Sequence, residues 1–102
     1  MNNKFGLSDR TVNTILNYFK TKPEIKKVVL YGSRAKGNYK TGSDIDFAVW
    51  TDSHSNISAI LNELDELQTP YKFDVTDYLR LEHTGMKQNI DNDGIVFYEV
   101  SK

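Results

Sequence analysis

Val28-Val29-Leu30-Tyr31-Gly32-Ser33, then after a ten-residue spacer Asp44-Ile45-Asp46-Phe47-Ala48-Val49-Trp50, is the stretch on which the fold turns. The two apolar runs read as strands, and the glycine-serine pair reads as a turn leaving the first of them. Alternation along the second strand places Asp44 and Asp46 on one face, and Ile45, Phe47 and Val49 on the other. Gly32 has no side chain to hold a ligand away from the backbone, Ser33 offers a hydroxyl, and a helical turn opening there aims N–H groups at an anion. Carboxylates are hard oxygen donors of the kind Mg²⁺ takes, in ones or twos, beside phosphate oxygens. Together these residues suggest a triphosphate-and-metal site.

Working outward, Tyr71-Lys72-Phe73-Asp74-Val75-Thr76 alternates again, with Asp74 opposite Phe73 and Val75. Aspartate is depleted in strands. Two carboxylates about 4 Å apart repel by roughly 4 kcal/mol at an effective dielectric of 20. A small domain with about 5–15 kcal/mol of total stability gains nothing structural from three of them. A divalent cation turns that repulsion into binding, so a metal site outweighs a merely solvated face. Placing Asp74 in it depends on strand register.

These residues resemble the minimal nucleotidyltransferases of the DNA-polymerase-beta-like superfamily. The resemblance rests on Gly32-Ser33-Arg34-Ala35-Lys36-Gly37, Ser43-Asp44-Ile45-Asp46 and Asp74, and is greatest to the antitoxin-type members paired with a helical HEPN-domain toxin. It implies an α/β (α+β) fold, a small mixed β-sheet with helices on one face. It implies Asp44, Asp46 and Asp74 as catalytic and metal-holding residues for two Mg²⁺ ions, with ATP as donor and Gly32, Ser33, Arg34 and Lys36 as the nucleotide-binding set. It further implies transfer of AMP to a hydroxyl of a HEPN-type RNase toxin in a hetero-oligomer. The alternative is a non-catalytic antitoxin or regulatory subunit that blocks its partner sterically.

Bulk properties bound the rest. With 102 residues the expectation is a single domain over 1–102, too small to add an acceptor-binding domain, which disfavours transfer to a small molecule. Thirteen basic against 14 acidic residues leave a net charge of −1, so no overall field favours nucleic acid or membrane. The absence of cysteine excludes disulfides and thiolate-bound metals. No signal peptide or membrane-length apolar run is present, and a cytoplasmic location is expected.

The remaining elements follow from periodicity. Ser8 or Asp9 caps a helix carrying Val12, Ile15, Leu16 and Phe19 on one face, and Pro23 marks its exit. Strands are expected at 26–31, 44–50, 71–76 and 95–100. A second helix starts at Ser53 or Ser55, shows Ile57, Ile60, Leu61, Leu64 and Leu67 on one side, and closes at Pro70. A short helix is expected near 80–90, followed by a turn at Asn92-Asp93-Gly94. The short link between the first two strands suits an antiparallel pair, and the helix before the third suits a parallel crossover. Arg34, Lys36 and Lys40 either neutralise phosphate or stand as solvated loop charges, and Tyr39 either stacks on a base or packs into the loop. His54 and His83 read as surface histidines, and Trp50 ends a strand without an assigned role.

Overall fold

The computed structural model describes residues 5–40, 42–52 and 56–100. The elements run α1 (Asp9–Lys20), β1 (Ile25–Tyr31), a single helical turn α2 (Ser33–Lys36), β2 (Ile45–Thr51), α3 (Ile57–Asp65), β3 (Phe73–Asp77), α4 (Thr84–Asp93) and β4 (Ile95–Glu99). A 3₁₀ turn, Tyr78–Arg80, links β3 to the segment before α4.

The four strands form one mixed sheet in the order β3-β2-β1-β4. β1 pairs antiparallel with β2 and with β4, and β2 pairs parallel with β3. The nine-residue helix α3 supplies the crossover that a parallel pair needs. Both pairings expected for the first three strands are therefore present, with ends shifted by one or two residues.

One face of the sheet is the main core. Val28 and Leu30 of β1, Ile45, Phe47 and Val49 of β2, and Phe73 of β3 are buried there against Ile15 and Phe19 of α1 and Ile60 and Leu64 of α3. Phe47 lies at its centre, with ring centroids 5.5 Å from Phe19 and 5.0 Å from Phe97. Burying a side chain of this size is worth roughly 1.5–3 kcal/mol each, so this layer supplies most of the stability. Ser8 caps α1 by accepting the Thr11 N–H. Asn56 caps α3 by accepting the Ala59 N–H, and the expected starting residues Ser53 and Ser55 lie outside the described residues.

α1 and α3 lie on the expected face, but α4 does not. Its Ile90 packs with Val29, Tyr31 and Ala48, the positions that alternate with the core residues of β1 and β2. Helices therefore sit on both faces, with α4 covering only part of the second. Asn92 and Asp93 belong to α4 rather than to a turn, and Gly94 ends the helix by donating its N–H to the Ile90 carbonyl. Among the described residues, no helix is long and apolar enough to cross a membrane.

Candidate functional site

The site lies on the α4 face, opposite the main core. Tyr31 is the register partner of Asp46, and Asp46 is the register partner of Asp74. Register partners project from the same side of a sheet, so the three form one row across β1, β2 and β3. Asp44 stands two residues before Asp46, in the segment just ahead of β2, and is exposed. Asp74 is also exposed, on an edge strand of the sheet.

Asp46 carries the electrostatic load of this row. Its carboxyl pKa is pushed up to about 6, by burial first and then by the Asp74 and Asp44 charges, with Arg34 acting in the opposite direction. The Tyr31 phenol is also raised, chiefly by burial, and both Asp74 and Asp46 add to the effect. Its hydroxyl lies 2.9 Å from Thr76 Oγ1, within hydrogen-bond distance one row further along the sheet. Among the described residues, no three histidine or acidic side chains already converge closely enough to cage an ion. The row instead offers Asp46 and Asp74 side by side, with Asp44 near enough to raise the Asp46 pKa. That is a hard-oxygen donor set whose mutual repulsion a divalent cation would relieve.

Gly32 joins this row to α2. Its backbone, at φ 79° and ψ −155°, lies in a region that essentially only glycine occupies. A Cβ at this position would collide with Asp46 Oδ2. The glycine thus both makes the turn and lets the backbone pass directly beside the central carboxylate. Ser33 opens α2, where the Gly32 carbonyl already accepts the Ala35 and Lys36 N–H groups. The first N–H groups of a helix have no carbonyl of their own helix to bond.

The two basic residues of α2 separate. Arg34, one of the expected nucleotide contacts, is turned inward and is only 3% exposed. Its Nε and Nη2 donate to the Ser43 carbonyl at 3.2 and 2.9 Å, and Nη1 donates to the Phe5 carbonyl at 2.9 Å. The rings of Tyr39 and Tyr71 flank the guanidinium, with centroids 5.1 and 4.9 Å from Cζ. Three of its N–H groups and both its faces are thus engaged by the protein, which favours a positioning role over the expected phosphate contact. It ties α2 to the residue before Asp44, so its observed work is positioning. Tyr39 is likewise packed on Arg34. Lys36 stays half-exposed, 3.7 Å from Asp93 of α4.

A cleft of about 440 Å³ opens beside the row. Tyr31, Gly32 and Lys36 form one wall, and residues of α4 with the preceding His83 form the other. His83 is exposed, as expected, and also caps α4, its Nδ1 accepting the Met86 N–H at 3.0 Å. His54 lies outside the described residues. Tyr31 and the α4 wall were not among the sequence candidates. The alternation of β1 gave a signal for Tyr31, but only the register with Asp46 makes it usable.

Residues 13–102 match the family described as Polymerase beta, Nucleotidyltransferase. The chain belongs to that family. No curated protein sequence matches it. Among solved structures, a chain of the toxin-antitoxin MntA-HepT is similar at 18% identity and a TM-score of 0.68, over 91% of this chain and 74% of that one. A chain of a toxin-antitoxin with AMP-PNP is similar at 20% identity and a TM-score of 0.65, over 88% and 74%. A chain from the complex of a tri-AMPylated Shewanella oneidensis HEPN toxin with an MNT antitoxin gives 20% and 0.65, over 89% and 71%. At these identities the structures establish a shared nucleotidyltransferase fold.

Proposed function

We propose that this nucleotidyltransferase moves AMP from ATP to a hydroxyl of a helical, HEPN-type partner protein, and thereby acts as an antitoxin. The observation that carries the reading is the row of Asp46 and Asp74 laid directly against the glycine turn at Gly32. Such a row brings metal-type donors and a phosphate-accessible backbone to one place. The likeness to toxin-antitoxin structures, one with AMP-PNP and one with an AMPylated toxin, supports the choice of donor and partner.

Asp44, Asp46 and Asp74 are the residues that would hold Mg²⁺. When bound, the cations offset triphosphate charge and favour the alkoxide form of the attacking hydroxyl. The chain's own residues do the rest by positioning. Gly32 admits the phosphates to the backbone, Ser33 donates its hydroxyl to a phosphate oxygen, and Lys36 swings from the exposed Asp93 to neutralise charge. The exposed edge position of Asp74 faces the side from which an acceptor enters. The acceptor oxygen forms a bond to the α-phosphorus and the bond to the bridging α–β oxygen breaks. Pyrophosphate leaves, and the hydroxyl proton passes to Asp74 or solvent.

The test is incubation of the protein, Mg²⁺ and the helical partner with ATP labelled on either the α- or the γ-phosphate. Label on the partner from α-labelled ATP alone is expected. Transfer of the γ-label would mean phosphoryl transfer, and neutralisation without any label would favour steric blocking.

A further inference from the structure

We infer that the α4 wall of the cleft is the pocket for the donor's nucleobase, and that Gln88 and Asn89 select adenine there. This rests on the donor-site reading above and assigns the half of the cleft that reading leaves unused. The Gly32 and Lys36 side adjoins the carboxylate row and suits phosphates. The opposite wall, with Met86, Gln88 and Asn89, contributes no lysine or arginine to the lining. A wall of one thioether, two carboxamides and the His83 imidazole is less suited to a triphosphate than the Lys36 side and well suited to a heterocycle. A carboxamide carries a donor and an acceptor side by side, the pair that complements the amino group and N7 of adenine. Guanine presents two acceptors at the corresponding edge and fits that pair less well.

Gly85 is the second observation. It is the second residue of α4 and also lines the cleft. Its backbone does not occupy the positive-φ region, so no unusual conformation requires glycine there. An added Cβ would approach only the His83 ring, at 3.3 Å from Cε1. Glycine is a poorer helix former than alanine, by up to about 1 kcal/mol in a helix interior and less in a first turn such as this. Residues three and four positions along a helix share its stripe, so Gln88 and Asn89 stand over Gly85. The missing side chain therefore leaves open the space beside the His83 ring, on the helix stripe that carries the two carboxamides.

The experiment measures binding of Mg-ATP, Mg-GTP and Mg-tripolyphosphate to the wild-type chain, to the double variant Gln88→Ala/Asn89→Ala and to Gly85→Leu. Leucine favours helix but crowds the His83 cap, so a melt of this variant checks that α4 persists. The expected result is an ATP affinity at least tenfold weaker in both variants, with tripolyphosphate affinity within twofold of wild type. The wild type is expected to prefer ATP over GTP, and the double variant to lose that preference. Unchanged ATP binding in either variant would overturn the assignment. So would a parallel loss for tripolyphosphate, or retained ATP binding with loss of partner binding. A wild-type chain that binds neither ATP nor tripolyphosphate would overturn the donor-site reading along with it.

Discussion

At Gly32 the difference between a hydrogen and a methyl group decides whether the backbone can run beside Asp46. The φ of 79° costs a side-chain-bearing residue about 1–3 kcal/mol, and the added Cβ must also displace the carboxylate. Gly32→Ala is therefore expected to lower stability by about 2 kcal/mol in denaturant melts, and a variant melting like wild type would refute the close approach. Asp46 gives a pH prediction. Its folded pKa of about 6 lies above the ordinary carboxylate value, so the folded state holds the proton more tightly than the unfolded chain. The resulting destabilisation is absent below the unfolded pKa near 4. It grows as pH rises and is fully present above about 6. Allowing for solvent screening of a partly exposed group, it amounts to about 1 kcal/mol. Asp46→Asn in metal-free buffer should be more stable than wild type by that amount at pH 7 and should lose the Asp46 part of the pH dependence between 4 and 6. Identical pH profiles would show that the carboxylates do not crowd as described.

At the scale of elements, α2 sorts two basic residues that sequence cannot distinguish. Arg34 and Lys36 are both plausible phosphate cations by position, yet burial commits one to the fold and leaves the other half-exposed. No local pattern announces this, because one receiving carbonyl, Phe5, is 29 residues away and the other, Ser43, is brought back by the loop after α2. Lysine cannot reproduce a planar fork between two tyrosine rings, so Arg34→Lys is expected to cost about 2 kcal/mol. Lys36→Ala removes an exposed ion pair worth less than about 1 kcal/mol and should leave the melt nearly unchanged. It should weaken triphosphate binding roughly tenfold. Paired melts and Mg-tripolyphosphate titrations check both, and the opposite pattern would exchange the two roles. The strands were legible because alternation marks them, and α1 and α3 because their apolar stripes are strong. α4 was legible only in outline. Its apolar signal is Met86 and Ile90 alone, and a histidine cap is not the serine, threonine or aspartate that usually marks a helix start. Its packing on the second face follows from sheet pairing, which one sequence does not display.

Over the whole molecule, the two faces of one sheet divide the labour. The α1–α3 face buries the aromatic core, while the other carries the acid row and is only partly covered by α4. The sequence revealed that the acids alternate with core residues, and hence that they leave the core face. It did not reveal the row, because the Asp46–Asp74 pairing is a property of register. Nor did it reveal the cleft, whose second wall begins at His83, fifty residues after Ser33. Asp74 is exposed on the sheet edge, and the proposed transfer makes the partner's covalent state the decisive observable. Intact-mass measurement of the helical partner after co-expression with this chain or with its Asp46→Asn variant tests the central claim most directly. The account predicts one or more added AMP units with the wild type and none with the variant, although both bind the partner. A partner that is neutralised by the wild type at unchanged mass would contradict it.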